Sequence, residues 1–135
     1  MSKVKNFLAL DVGERRIGVA SGDSGVRVAV PIDTIEVDGG ELEKIARLII
    51  NENTDVVVIG YPRNQSGEST AQTAYVEDFA VKLKDIAPVI VYQDESLTSV
   101  LAEQRLKEYK KPYTKADIDA QAAAIILQDY METRL

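Results

Sequence analysis

Short hydrophobic runs, each bounded by turn-forming residues, recur along the chain up to Tyr92. Runs of about four to eight such residues are typical of buried or half-buried strands. The segment Gly22-Asp23-Ser24-Gly25 separates the second run from the third and is typical of a tight hairpin turn. We therefore predict that the first three strands form an antiparallel meander, in a set of five at residues 7–10, 17–20, 26–30, 56–59 and 89–92.

Hydrophobic positions take on a helical spacing after the third and fourth predicted strands. Each of these two stretches begins with a pair typical of a capping box, Asp38 with Glu41 and Ser69 with Gln72. Helices placed between strands imply parallel strands joined by right-handed crossovers. The same spacing predicts two more helices after the fifth strand, at residues 97–108 and 114–132.

The order of these elements predicts an α/β fold. Its mixed five-stranded sheet consists of an antiparallel meander followed by parallel strands, and helices flank it. The chain has 135 residues and contains no internal repeat, low-complexity tract or linker, so we expect one domain over residues 1–135. A chain of this length can bury a sizeable core without disulfides or a structural metal.

The composition limits the chemistry, because the chain contains no Cys, His or Trp. These absences exclude thiol nucleophiles, disulfides, zinc sites built from Cys and His, and the Ser-His-Asp triad. In an enzyme of this composition, proton transfer falls to carboxylates, Lys, Tyr or metal-bound water.

The charge balance is acidic, with 22 acidic and 16 basic residues and a net charge of -6. This balance argues against broad non-specific binding to polyanions but is compatible with a local basic patch. No apolar stretch reaches the ~18 residues of a membrane span, and the stretch near the N-terminus is too short for a signal peptide. We expect a cytoplasmic protein that does not contact membranes, as a monomer or a homodimer.

Carboxylates stand where two of the predicted parallel strands end. Asp11 follows the first hydrophobic run, and Asp94 and Glu95 follow the fifth. Ligands of such sheets gather beyond the carboxyl ends of the parallel strands. Strand alternation alone does not choose between Asp94 and Glu95, because both alternating sets of residues are hydrophobic.

The last predicted helix supplies a third acid. Asp119 shares a helical face with Ala123 and Ile126 and is therefore expected to point toward the sheet. A carboxylate on an apolar face is costly unless it is paired or bound to a metal. Asp117 belongs instead in the first helical turn, where negative charge is favourable and Thr114 can act as the cap.

Carboxylates that converge at one sheet edge repel one another, and hard divalent cations relieve that repulsion. Mg²⁺ prefers oxygen ligands, and a pair of ions ~3.5–4 Å apart can activate water and stabilise the leaving oxygen of a phosphodiester. This chemistry needs no histidine. Carboxylates with Mg²⁺ or Mn²⁺ therefore fit the composition better than any other catalytic scheme.

Four segments, in order, resemble the YqgF family, whose members are also described as RuvX-like pre-ribosomal-RNA nucleases. The segments are residues 8–20 (LALDVGERRIGVA), 58–67 (VIGYPRNQSG), 94–99 (DESLTS) and 118–127 (IDAQAAAIIL). The resemblance implies an RNase H-like fold, related to the RuvC junction resolvases. It also implies that the family's acids fall on Asp11, Glu95 and Asp119, as catalytic residues and ligands of Mg²⁺ or Mn²⁺. One departure is Tyr61, where the family often has Leu.

The resemblance implies a metal-dependent nuclease that matures the 5′ end of precursor small-subunit ribosomal RNA, with the pre-ribosomal particle as a candidate partner. Cleavage of branched DNA, as by a Holliday junction resolvase, is the related alternative. A non-catalytic RNA-binding module for ribosome assembly is the alternative from another class. An ATP-handling domain of the actin and sugar-kinase type shares the D-x-G turn, but such proteins need two domains around the nucleotide.

Further residues are candidates for contacts with nucleic acid. Arg63 and Asn64 precede the Ser69 helix, whose free N–H groups favour phosphate, and an ordinary loop is the alternative. Gly13 and Gly18 either let a phosphate or metal approach the backbone or are a turn glycine and a strand glycine near a crowded face. The basic residues form either a track for nucleic acid or a solvated face. The substrate-binding candidates are Arg16, Arg63, Asn64, Lys110, Lys111 and Lys115.

Overall fold

The computed structural model describes residues 3–62, 70–95, 98–109 and 112–135, without the side chains of residues 95 and 98–100. Its strands and helices alternate after an all-β start. In chain order they are β1 (Asn6–Val12), β2 (Arg16–Asp23), β3 (Val30–Glu36), α1 (Glu41–Asn51), β4 (Val56–Pro62), α2 (Ala71–Leu83), β5 (Ile90–Glu95), α3 (Thr98–Glu108) and α4 (Lys115–Arg134).

The strands form one mixed sheet in the order β3-β2-β1-β4-β5. The pairs β1–β2 and β2–β3 are antiparallel, whereas β1–β4 and β4–β5 are parallel. The predicted fold class, a meander followed by parallel strands with flanking helices, is confirmed. Because β1 is the central strand, its carboxyl end has neighbours on both sides.

Helices cover both faces of the sheet. On one face, Ile45 of α1 and Leu83 of α2 belong to the same core cluster as Leu10 of β1. On the other face, Ile126 of α4 belongs to a cluster with Val58 of β4, and α3 packs on α4. Alternate strand residues therefore face either α1 and α2 or α4. None of the helices in the described ranges is long and apolar enough to cross a membrane.

The third strand lies later in the chain than predicted. It covers Val30–Glu36 rather than residues 26–30, and Val26 is 72% exposed. The connection between β2 and β3 extends beyond the predicted turn at residues 22–25. In it the Asp23 carboxylate accepts hydrogen bonds from the amides of Gly25 and Val26. β3 is an edge strand, where Pro31 is tolerated and polar residues interrupt the hydrophobic run. Its sequence therefore lacks the pattern by which the buried strands are recognised.

The capping box predicted for α1 is wrong. α1 begins after Gly40 without a side-chain cap, because Asp38 accepts a hydrogen bond from the Gly40 amide instead. That bond lowers the pKa of Asp38. The predicted cap at Ser69 lies outside the described residues, and α2 is capped by a reciprocal pair of hydrogen bonds between Thr70 and Thr73. The last two helices begin and end within two residues of the predicted limits.

Candidate functional site

One row of residues crosses the five strands near the carboxyl end of β1. The row follows the pairing of β3 with β2, of β2 with β1 and of β4 with β5, and it is completed by continuing the β1–β4 register by one residue. Residues two positions earlier in β1, β4 and β5 pack with the α4 core, so this row faces α4. Its members are Thr34, Gly18, Asp11, Gly60 and Gln93.

α4 lies directly on this row at Gly18. A Cβ added to Gly18 would overlap the backbone carbonyl of Asp119 and lie 2.9 Å from the backbone nitrogen of Ala120. Beside it, the Thr34 hydroxyl donates a 2.6 Å hydrogen bond to the carbonyl oxygen of Ala116. Gly18 therefore sets how closely α4 approaches the sheet. Of the two interpretations of this residue, the strand glycine beneath a crowded contact is the one that the structure supports.

This contact places the backbone of Asp119 over the strand position beside Asp11. Gly18 is the register partner of Asp11 and touches the backbone of Asp119. The Asp119 side chain is 24% exposed, and Ala123 and Ile126 on the same helical face are buried against the sheet. The predicted orientation of Asp119 is confirmed. Asp11 is partly buried, so both acids lie at the rim of the core.

Arg16, at the start of β2, holds the Asp119 carboxylate. Its Nε donates a 2.6 Å hydrogen bond to Oδ2 of Asp119, and its side chain is 29% exposed. This hydrogen bond and the charge of Asp119 raise the pKa of the Arg16 guanidinium. The structure thus places Arg16 within the site as the ion-pair partner of an acid, and its predicted contact with substrate stays a prediction.

Asp117 has the structural role that the sequence predicts. Its carboxylate accepts a 2.9 Å hydrogen bond from the Thr114 amide, and the Thr114 hydroxyl accepts a 3.2 Å bond from the Asp117 amide. This capping box fixes the start of α4. The two acids in the first turns of α4 therefore have different surroundings.

The end of β5 separates Asp94 from Glu95. Asp94 is exposed and lies on the same face of the strand as Tyr92, whose ring centroid is 4.9 Å from that of Tyr61. These positions face away from α4. Glu95 occupies the alternate strand position, in phase with Gln93, and its side chain lies outside the described part of the chain. The strand register therefore favours Glu95 over Asp94, a choice that the sequence pattern leaves open.

Gln93 is a member of the site that the sequence analysis missed. Its Oε1 atom is buried, and no group in the described residues donates a hydrogen bond to it. The available signal was its place in β5, where a polar residue stands in phase with Val91 on the face that packs against α4. The row therefore contains a second oxygen-bearing side chain besides Asp11 on this face of the parallel strands.

α2 begins at the same edge of the sheet. Gln72 Nε2 donates a 3.2 Å hydrogen bond to the carbonyl oxygen of Val12, and the Thr73 hydroxyl donates to the carbonyl oxygen of Pro62. The first turn of α2 is thus tied to the ends of β1 and β4. The predicted phosphate contacts in the preceding segment, Arg63 and Asn64, lie outside the described residues.

Of the three lysine candidates that precede or begin α4 in the sequence, the structure describes one. Lys115 is exposed in the first turn of that helix, and the Lys110 and Lys111 positions fall in an undescribed part of the chain. Gly13 forms the turn between β1 and β2, where its amide donates a 3.0 Å hydrogen bond to the Arg16 carbonyl. Gly13 is therefore a turn glycine, as the second interpretation of the sequence holds.

The donor atoms at the site suit a hard divalent cation. Asp11 and Asp119 carry carboxylate oxygens and Gln93 an amide oxygen, and oxygen is the donor type that Mg²⁺ and Mn²⁺ prefer. Among the side chains that the structure describes, no three acidic groups form a metal-binding cluster. The third predicted acid, Glu95, is not among those side chains.

Comparison with known proteins gives one consistent family. Residues 5–133 match the family model described as "RuvX: Holliday junction resolvase". The "Putative pre-16S rRNA nuclease" of Chloroflexus aurantiacus is 45% identical over 134 residues, covering 95% of this chain and 87% of the relative. A protein of the same name from Sulfurihydrogenibium sp. is 39% identical over 132 residues, covering 96% and 91%.

Solved structures share the fold at low sequence identity. RuvC of T. thermophilus in complex with a Holliday junction substrate is 13% identical, with a TM-score of 0.56 and coverage of 96% of this chain and 95% of that chain. The Fowlpox virus resolvase in complex with Holliday junction DNA is 14% identical, with a TM-score of 0.58 and coverage of 96% and 99%. These two likenesses concern the fold alone.

Proposed function

The chain belongs to the RuvX family of nucleases, and from this premise we propose that it is a divalent-metal-dependent nuclease for precursor small-subunit ribosomal RNA. The expected substrate region is the 5′ end of that RNA. The family expected from the sequence motifs is confirmed.

The observation that carries the proposal is the approach of Asp119 to Asp11 across Gly18. Ordinary packing of a helix on a sheet does not require two acids at the point of closest approach, because a carboxylate on an apolar face is costly. The tight fit at Gly18 leaves no room for a side chain that would separate them. A divalent cation bound by both acids, beside the ion pair of Asp119 with Arg16, accounts for their place at one contact.

We assign the cation to Asp11, Glu95 and Asp119. Asp119 meets Gly18, which is the register partner of Asp11, and Glu95 follows Gln93 in a strand position in phase with it. When bound, Mg²⁺ or Mn²⁺ would activate water and stabilise the leaving oxygen of a phosphodiester. Arg16 keeps the Asp119 carboxylate in place at 2.6 Å and adds positive charge at the edge where a phosphate would approach.

The substrate contacts that we propose lie around these acids. Arg16 stands at the site itself, and Lys115 at the start of α4 extends the positive charge outward. Phosphate contacts of this type fix the position of a nucleic acid without reading its sequence. The remaining proposed contacts are Arg63, Asn64, Lys110 and Lys111.

Of the two candidate substrates we propose ribosomal RNA, because relatives at 38–45% identity over nearly the whole chain are named as pre-16S rRNA nucleases. Branched DNA is the second candidate, favoured by the description of the family as a Holliday junction resolvase. A ribosome-assembly role without catalysis would not need paired acids at one contact. A pre-ribosomal particle is a further candidate partner.

The test compares two variants on the same helix. Asp119→Asn keeps the side-chain shape but removes a charged ligand, and should lower metal-dependent cleavage at least about 100-fold. Asp117→Asn should keep the activity and lose only a favourable helix-start charge, worth about 0.3–1 kcal/mol of stability. Both are measured on precursor ribosomal RNA at matched concentrations of folded protein, with and without Mg²⁺ or Mn²⁺.

A parallel assay with four-way DNA junctions separates the two substrates. Faster cleavage of the junction would move the assignment to branched DNA. Binding of RNA without cleavage in either metal would favour the non-catalytic module. Equal activity of the two aspartate variants would show that Asp119 is not part of the catalytic site.

A further inference from the structure

The side-chain oxygen of Gln93, Oε1, is buried without a hydrogen-bond donor in the described residues. An amide oxygen that loses water without gaining a partner destabilises the folded state. Such an atom in a native protein therefore indicates a bound water, a bound ion or a functional role.

The position of Gln93 points to the site of the acids. Its register partner is Gly60, and the β1–β4 register places Asp11 on the other side of that glycine. Neighbouring strands lie ~4.8 Å apart, so Asp11 and Gln93 start from backbones separated by about twice that distance. Gly60 has no side chain to fill the space between them. A small ligand in that space can meet both oxygens.

We propose that Gln93 is a further oxygen donor to the divalent cation, completing the site formed by Asp11, Glu95 and Asp119. This inference rests on the proposed metal-dependent function. The amide oxygen contacts the cation or one of its water ligands.

A neutral donor suits this position for an electrostatic reason. Three carboxylates at one site already repel one another when no cation is bound, and a fourth would add to that repulsion. An amide oxygen adds a hard ligand without adding charge, and such carbonyl oxygens are accepted by hard cations alongside carboxylates. The Arg16 guanidinium pairs with Asp119 at 2.6 Å, and no N–H group in the described residues donates to the Gln93 oxygen.

The experiment measures Mn²⁺ binding by titration calorimetry, and thermal unfolding without metal, for four proteins beside the natural chain. Gln93→Leu removes the oxygen at similar size. Gln93→Glu replaces the amide by a carboxylate. Asp11→Asn is the reference for loss of the site. Thr54→Val is the matched control, because Thr54 Oγ1 is also buried with no partner among the described residues but lies just before the amino end of β4, away from the carboxyl ends of the strands.

The expected pattern has opposite signs in the two measurements. Gln93→Leu should weaken Mn²⁺ binding about tenfold or more while leaving the metal-free unfolding temperature unchanged or higher, because an unsatisfied acceptor is gone. Gln93→Glu should bind Mn²⁺ more tightly and unfold at a lower temperature without metal. Thr54→Val should resemble Gln93→Leu in metal-free unfolding and the natural chain in Mn²⁺ binding.

Two failures are distinguishable. If the natural chain binds Mn²⁺, Asp11→Asn does not, and both Gln93 variants bind as the natural chain does, the inference about Gln93 is wrong and a buried water satisfies its oxygen. If the natural chain itself binds no Mn²⁺, the proposed metal site fails, and the role of Gln93 fails with it.

Discussion

Gly18→Ala tests the contact on which the candidate site depends. The added methyl group would point from β2 into the backbone of α4 at Asp119. The three nearest atoms all belong to backbone rather than to flexible side chains, so the strain cannot be relieved by a change of rotamer. The sheet is a rigid partner because Gly18 pairs with Asp11 on one side and Thr34 on the other.

The size of the expected effect follows from the overlap. Real Cβ atoms essentially never approach other heavy atoms within 3.0 Å, and restoring that separation requires α4 to withdraw by about 1 Å or more. Overpacking of this kind typically costs about 1–3 kcal/mol of stability. A displacement of about 1 Å at a reacting centre can lower the rate by about 100-fold. Gly18→Ala should therefore lose more activity than its stability alone explains.

The assay combines chemical denaturation with metal-dependent cleavage at matched folded concentration. Gly22→Ala is the control, because Gly22 lies in the same strand under the same helix. There the added Cβ would meet the ends of the Leu127 and Met131 side chains at 3.3 Å and the Val28 carbonyl at 3.1 Å. We expect Gly22→Ala to be mildly destabilised and fully active. If Gly18→Ala keeps both natural stability and natural cleavage, α4 does not rest on Gly18 and the account of the site is incorrect.

Three other perturbations have defined outcomes. Arg16→Gln frees the Asp119 carboxylate from its ion pair, so that Arg16 no longer competes with the cation for it. Mn²⁺ binding measured by calorimetry should tighten while the cleavage rate falls. Weaker Mn²⁺ binding would contradict this competition. Partial desolvation and the charge of Glu132 raise the pKa of Asp129 in the folded state. The folded state therefore loses stability as the pH rises above the pKa of an unfolded aspartate, ~3.9. Asp129→Asn should raise the unfolding temperature at pH 7 but not near pH 3, and an equal gain at both pH values would show that ionisation of Asp129 is not the cause. Replacing the three basic residues Lys110, Lys111 and Lys115 by Gln should weaken RNA binding and lower the slope of log K against log salt by up to about 3. An unchanged slope would assign these side chains to a solvated face.

The sheet was predictable where its strands are buried and not where one is exposed. β1, β2 and β4 have neighbouring strands on both sides, and their continuous hydrophobic runs are buried. β5 is an edge strand in which Tyr92 is 38% exposed, but its hydrophobic run still identifies it. β3 is the other edge strand, and polar residues interrupt its run. The hydrophobic pattern therefore predicts a strand at residues 26–30, where Val26 is exposed in a turn.

The candidate site was predictable as a set of acids and not as a contact. Helical periodicity is enough to place Asp119 on the buried face of α4, since one helix determines that face. The role of Gly18 depends on how closely two distant segments approach, which no local pattern contains. The orphaned oxygen of Gln93 is equally invisible in the sequence, because the absence of a donor is a property of the whole packed interior.

The pairing of Arg16 with Asp119 joins residues that are 103 positions apart. Closing so long a segment costs chain entropy that only the fully packed core can offset. During synthesis the N-terminal meander is made first, and it carries Asp11 and Arg16 without their partner on α4. An emerging chain therefore has an incomplete set of acids until α4 has been made and has docked on the sheet, so nuclease activity is withheld from partly folded protein by the topology itself.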